Sequence, residues 1–552
     1  MNDFPWLTVL IAVPLVGAVA APFLPRTNPS LVRWFGIAVA LLTLAVGVAI
    51  AVQFEVDGGM QLTETHTWIE AFGVHYALGV DGLGLLLMLL TAFLVPVVLL
   101  AGWHEGEENP AAFIGWTLAL EGLSLAVFAA TDVFLFYVVF EATLIPAYFL
   151  IGGFGRAGRS AAALKFLMFQ LAGGLVMLGS VIGLYVVSAQ QGTPSYLLGD
   201  LAALDMDTTA GRWLFAGFFI AFAVKAPLFP VHTWLADTTE KATPGTSVLL
   251  VCVLDKIGTF GMLRFCLGLF PEASQWATPV VIVLALISIV YGALVAIGQD
   301  DVLRLIGLTS LSHFGFITLG IFVFSTQGGS GAILYMVNHG LGTAALFLVA
   351  GYIIRRRGTS LISRMGGLEA KTPVLAGLFL VAGLATLGLP GLSPFVSEFL
   401  VILAAFDYRW YVGAVAVTGI VLAAIYVLWM YQRMMTGPAL ADPVDDLDRT
   451  DHPDHTVGTG GTASTGATAA TATATRTRTT AVAGRDASLR EVAAVAPIMV
   501  ALVLFGFYPA PLLDVSNPTV ESLLSYVGVS DDEPTVQPGD VEPHGETAEE
   551  DH

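Results

Sequence analysis

Eight ionisable side chains sit in or beside long apolar runs, where a charge at the centre of a membrane helix costs about 2.5–3.5 kcal/mol. Glu141 follows Phe136-Tyr137-Val138-Val139-Phe140. Lys225 stands in Phe222-Ala223-Val224-Lys225-Ala226-Pro227. Asp255 and Lys256 interrupt Val253-Leu254 and Ile257-Gly258, and Glu398 lies in Phe395-Val396-Ser397-Glu398-Phe399. Glu121, His313 and His339 fall in further apolar stretches. Carboxylate, amine and imidazole share one chemistry, the uptake and release of a proton. Burial favours the neutral form of each, and a nearby opposite charge favours the charged form. An ion pair that opens and closes therefore switches a proton affinity without any redox group. Glu141 and Lys225 are the natural pair of opposite sign. Lys256 is then an acceptor whose affinity follows the pairing of Lys225. His313 and His339 can relay, since imidazole titrates nearest neutrality. Glu121 joins them as a further relay candidate, and Glu398 passes the proton onward. Asp255 adjoins Lys256, but sequence neighbours do not face each other on a helix, so its expected part is to tune Lys256 electrostatically.

Blander roles compete. A buried histidine is equally a hydrogen-bonded packing residue. Asp81 and Asp132 stand near span ends and read as helix caps. The lysines are harder to dismiss, because two of the chain's five occupy the costliest positions.

These residues need a membrane scaffold. The 552-residue chain is 56% hydrophobic and 12% charged, against about 25% charged in soluble domains. A balance of 23 basic to 43 acidic residues, net −20, has the wrong sign for nucleic acid. Two cysteines, Cys252 and Cys266, cannot build a four-cysteine cluster, and no glycine motif for a nucleotide stands in a strand–helix setting.

At about 20 apolar residues per crossing, fourteen spans are expected: 6–24, 31–52, 83–102, 113–130, 133–149, 164–187, 213–229, 246–270, 280–298, 302–324, 333–354, 373–406, 411–430 and 492–508. The fold class is an all-α polytopic membrane protein. Assigning loops alternately to two sides puts eighteen Lys and Arg on one and three on the other. Basic loops stay cytoplasmic, so both termini are expected outside a plasma membrane. The Thr/Ala/Gly-rich stretch within 437–490 reads as a flexible cytoplasmic linker, and 511–552 as an external acidic tail.

Two spans are broken by proline, at Lys225-Ala226-Pro227 and at Leu389-Pro390-Gly391. Proline removes a donor and clashes with the preceding turn, and the freed carbonyls must be satisfied by protein or water. Pro227 lies 114 residues into a five-span block starting at Phe113; Pro390 lies 110 into a block starting at Val280. Five is odd, so the second block starts on the opposite face. That is the pattern of an inverted repeat with breaks at matching places, although two prolines can also simply kink packed helices. The expected organisation is helices one to three in 1–110, repeats in 111–272 and 273–436, the linker in 437–490, helix fourteen in 491–510 and the tail in 511–552.

On these residues the sequence resembles the antiporter-like membrane subunits of respiratory complex I, relatives of multisubunit sodium/proton antiporters and membrane-bound hydrogenases. The likeness runs from about Leu78 to Met435. It implies fourteen helices, broken seventh and twelfth helices, and inverted five-helix repeats. Glu141 matches the family's fifth-helix glutamate, Lys225 and Lys256 its seventh- and eighth-helix lysines, and His313 and His339 its histidines. Glu398 stands where most relatives carry lysine and the M type carries glutamate, and Glu121 also resembles an M-type acidic position. Asp255 departs from a frequent leucine, and Asp301-Val302-Leu303-Arg304 from the usual Asp-Leu-Lys-Arg. The resemblance implies a proton-translocating subunit of a redox-driven NADH-quinone oxidoreductase. Its partners would be other antiporter-like and small membrane subunits, the lipid bilayer and, indirectly, a peripheral redox arm. No cofactor is expected in this chain; flavin and iron–sulfur clusters would sit on partner subunits. The alternative is a subunit of a sodium/proton antiporter or of a membrane-bound hydrogenase.

Overall fold

A computed structural model describes residues 4–25, 27–192, 194–438 and 485–529. Most of the expected linker and the end of the acidic tail lie outside the described residues. Among those described, twelve helices are long and apolar enough to cross a membrane, and the fold is all-α and polytopic.

Local chemistry sets the helix starts. Asn28, Asp81, Asn109, Asp132, Asp207, Thr243, Asp301, Ser325 and Ser488 each accept a backbone N–H of the first turn, satisfying donors that have no partner inside the helix. Asp81 and Asp132 are thus caps. Asp81 also takes a 2.6 Å bond from Arg264 Nη2, which ties two helices together.

Burial divides the spans into an inner and an outer set. The segments Pro244–Leu267, Val302–Phe322 and Thr326–Arg357 are buried throughout their apolar windows, whereas Trp6–Phe23 and Pro29–Gln53 are buried over only a third. A helix apolar on all sides belongs in an interior, and these three inner segments carry Lys256, His313 and His339. The outer helices turn Val16, Trp34, Leu175, Trp276 and Val421 outward, as lipid contact allows.

Both expected breaks are present. The first divides Thr208–Lys225 from Thr233–Lys241. Trp234 Nε1 donates to the freed Val224 carbonyl at 3.0 Å, and Ser288 Oγ accepts Phe229 N at 3.0 Å. The second divides Pro373–Thr386 from Ser393–Tyr408, with Asn338 Nδ2 bonded to Ser393 O at 2.8 Å. Protein groups therefore satisfy the irregular backbone, as a membrane interior demands.

Two features were not expected. Residues Gln61–Ile69 and Val74–Val80 form an antiparallel two-stranded hairpin between the second and third helices, with Gly73 at φ 62 in its turn. The helix Ala510–Val527 occupies the start of the stretch expected to be a tail. Its four-residue stripe of Leu512, Ser516, Val520 and Leu524 is buried, and Val515 O packs against Gly82 at the end of the hairpin. Hairpin and helix share the face opposite Arg355–Arg357. On the arginine-rich face, Arg304 bridges Asp237 at 2.6 Å and Glu240 at 2.9 Å, and Lys165 meets Asp237 at 2.6 Å. These pairs pin the second half of the first broken helix to its neighbours.

Candidate functional site

Lys225 is the last residue of its helix, fully buried. Its Nζ donates to Thr143 Oγ1 at 3.2 Å and lies 4.4 Å from the centre of the Phe140 ring. Glu141, at the end of Val133–Ala142, is half-buried, and its carboxylate presses on Gly174 where any side chain would stand. The expected Glu141–Lys225 pair is open: no nitrogen–oxygen contact of 4.0 Å or less joins them. Thr143 and the Phe140 ring hold the ammonium instead, within electrostatic reach of both Glu141 and Asp255.

Lys256 lies at the centre of one of the three fully buried spans, at the start of a short α-helix flanked by π-helical stretches Leu249–Leu254 and Met262–Leu267. Such wider turns are frequent at functional sites. Gly258 packs so closely on Ala226 that a side chain there would strike backbone, which seats this span on the first break. Lys256 Nζ donates to Val251 O at 3.2 Å and meets His339 Nδ1 at 2.6 Å, 4.4 Å from the Phe314 ring centre. Asp255 is fully buried with neither carboxylate oxygen hydrogen-bonded, and it acts electrostatically on both Lys225 and Lys256.

His339 and His313 stack obliquely, ring centres 5.2 Å apart, and the Nε2 of each has no partner. His313 Nδ1 meets Tyr335 Oη at 2.7 Å, and that hydroxyl donates to Glu398 Oε1 at 2.7 Å. Glu398 Oε2 lies against Gly388, whose φ of +77 belongs to the second break. Five buried side chains thus form a string: Lys256, His339, His313, Tyr335 and Glu398. Tyr335 and Thr143 were absent from the sequence-derived set. Neither carries a charge that a membrane would penalise, so nothing marks them among the chain's other tyrosines and threonines. Glu121 is buried, but its carboxylate has no hydrogen-bond partner, so no hydrogen bond joins it to the string.

Cavities flank the central span. One of about 290 Å³ opens beside its first residues and is lined by Glu105, Thr243, Tyr352 and Arg355. Another, of about 730 Å³, opens beside its last turn and is lined by Arg264, Asp81, Asp200 and Tyr526. Burial pushes the Glu105 carboxyl up to about 7, even though Thr243 Oγ1 donates to it at 2.6 Å and Gly245 N at 2.9 Å. Among the described residues no group of three His, Cys, Asp or Glu is placed to hold a metal, and both cysteines are buried thiols.

Residues 130–423 match the family model described as "NADH:quinone oxidoreductase/Mrp antiporter, TM". The chain is 45% identical to NADH-quinone oxidoreductase subunit M of Mycobacterium tuberculosis over 97% of both chains. It is 34% identical to subunit M of Rhodobacter capsulatus over 94% of this chain and 96% of that one. Among solved structures it superposes on a chain of respiratory complex I from Thermus thermophilus with a TM-score of 0.80 at 31% identity, covering 95% of this chain and all of that one. A chain of the Mrp complex from Dietzia reaches 0.79 at 24% identity, covering 95% of this chain and 98% of that one, a likeness of fold. The chain belongs to the NADH:quinone oxidoreductase/Mrp antiporter family of membrane subunits, and relatives matched over nearly their whole length include subunit M chains.

Proposed function

We propose that this chain is a proton-translocating membrane subunit of an NADH-quinone oxidoreductase. Protons move through a buried relay of Glu141, Lys225, Lys256, His339, His313 and Glu398. The observation that carries the reading is the 2.6 Å contact between Lys256 Nζ and His339 Nδ1, buried between two of the inner spans. An ammonium and an imidazole at that separation share one proton between two nitrogens, the arrangement a transfer needs.

The relay works by charge. With Lys225 turned to Thr143, Glu141 is free to attract it, and Asp255 competes from the other side. When Lys225 pairs with Glu141, its field on Asp255 and Lys256 weakens and Lys256 holds its proton more tightly. When the pair opens, Lys256 gives its proton to His339. Moving a proton against 100 mV takes about 2.3 kcal/mol, which is within reach of breaking one buried ion pair, a loss of about 3–5 kcal/mol when a partner is removed. The two cavities beside the central span supply water near its ends.

In this reading, neighbouring membrane subunits drive the opening, and flavin, clusters and quinone belong to other chains. The arginine-rich face is cytoplasmic in a plasma membrane, both termini lie outside, and the two five-helix blocks are an inverted repeat. Full-length identity to subunit M at 45%, with Glu398 on the second broken helix, favours this over a sodium/proton antiporter. The test is Lys225→Ala and Glu141→Ala in the assembled complex. Both variants should co-purify with its other subunits yet move no protons through this chain. A variant complex pumping at the wild-type ratio overturns the role.

A further inference from the structure

We propose that Tyr335 carries the proton between His313 and Glu398, acting as a hydroxyl gate that passes one proton per rotation. The inference rests on the proton-translocating reading above. Among the described residues, Tyr335 is the one side chain hydrogen-bonded to both groups, at 2.7 Å on each side. It is 1% exposed, and its ring is held edge-on to His313 at 5.8 Å and tilted against Phe316 at 6.2 Å. The phenol oxygen is therefore fixed while its hydrogen is free to turn. Glu398 is confined from behind by Gly388, and its second oxygen has no hydrogen bond. Its hydrogen-bonded supply thus comes through Tyr335.

The step balances without electron transfer. It begins with His313 protonated on both nitrogens and Glu398 ionised. The Tyr335 O–H bond breaks as that proton bonds to Glu398 Oε1. The His313 Nδ1 proton bonds to the phenol oxygen in its place. His313 is left neutral with its proton on Nε2, Tyr335 is again a neutral phenol, and Glu398 is a neutral acid. The new O–H now points at His313, so no second proton follows until the hydroxyl turns back toward Glu398. His313 reloads when its ring turns so that the bare Nδ1 takes a proton from the His339 side and then turns back to Tyr335; its Nε2 proton stays in place, and no hydrogen bond at Nε2 opposes the turn.

Tyr335→Phe keeps the ring and deletes only the oxygen. Protons moved per electron pair are measured in sealed proteoliposomes of the intact complex, with Lys225→Ala alongside and quinone reduction in the presence of uncoupler as the assembly control. The expected result is a Tyr335→Phe ratio as low as that of Lys225→Ala, with uncoupled reduction intact. Replacing Tyr335 by 3-fluorotyrosine, a more acidic phenol of nearly the same shape, should keep pumping and shift its pH profile, which a packing role would not do. A wild-type ratio in Tyr335→Phe beside a low one in Lys225→Ala overturns this inference alone. Wild-type ratios in both overturn the functional reading and this inference with it. Should Tyr335→Phe fail to assemble, the fluorotyrosine variant decides, and an unshifted pH profile overturns the gate.

Discussion

At the scale of single residues, the two carboxylates at the ends of the relay depend on glycine. Glu141 fills the space a side chain at Gly174 would take, and Glu398 does the same at Gly388. Gly388 carries a second constraint, because its φ of +77 is a backbone state that residues with a Cβ adopt poorly. Gly388→Ala is therefore expected to cost about 1–3 kcal/mol in backbone strain and to displace the Glu398 carboxylate from Tyr335. The check is a thermal shift of the purified complex together with its pumping ratio: stability falls modestly and pumping falls sharply. A variant that loses neither shows that Glu398 does not need its present seat. The buried charged residues stood out in the sequence because hydrocarbon makes each charge expensive. Tyr335 and Thr143 were not, because a neutral hydroxyl in an apolar helix is unremarkable until its neighbours across the bundle are known. The open Glu141–Lys225 pair was likewise beyond the sequence, which sets the signs of two charges and not their separation.

At the scale of elements, the span Pro244–Leu267 is the axis of the site, and its first turn hangs on Glu105. That carboxyl receives Thr243 Oγ1 and Gly245 N while burial raises its proton affinity. The folded value of about 7 lies above the ordinary 4.5, so between those values the folded chain holds a proton that the unfolded chain has released. Stability from this group is greatest at the acid end of that window and declines as pH rises through about 7. Glu105→Gln should flatten that part of the pH dependence, read as the midpoint of thermal inactivation of the solubilised complex from pH 5 to 8 (about the range where the group titrates). An identical pH slope in wild type and variant contradicts it. The broken helices were legible from Pro227 and Pro390, but the π-helical turns around Lys256 were not, since no proline or other local signal marks them. Alternating residues in 61–80 and the buried four-residue spacing of Leu512, Ser516, Val520 and Leu524 are ordinary signals of strand and helix. Neither is a long apolar run, so neither stands out in a chain dominated by membrane spans.

At the scale of the whole molecule, three fully buried segments hold Lys256, His313, Tyr335 and His339 while partly buried helices face outward. Arg356 joins Glu491 through two bonds of 3.0 and 2.7 Å, fastening the Leu489–Phe507 helix to the core on the arginine-rich face. The hairpin and the Ala510–Val527 helix close the opposite face. The scaffold was legible from apolar length, whereas the closing elements depend on contacts between distant parts of the chain, such as Tyr526 Oη with Ala202 O at 2.7 Å. In the proposed relay, this architecture keeps a movable proton buried between the two cavities. The most direct test is Lys256→Met, an apolar side chain of similar length, with protons per electron pair measured in sealed proteoliposomes of the complete complex. A relay through Lys256 predicts a complex that assembles and reduces quinone under uncoupled conditions but moves fewer protons per electron pair. Wild-type proton movement in that variant would contradict it.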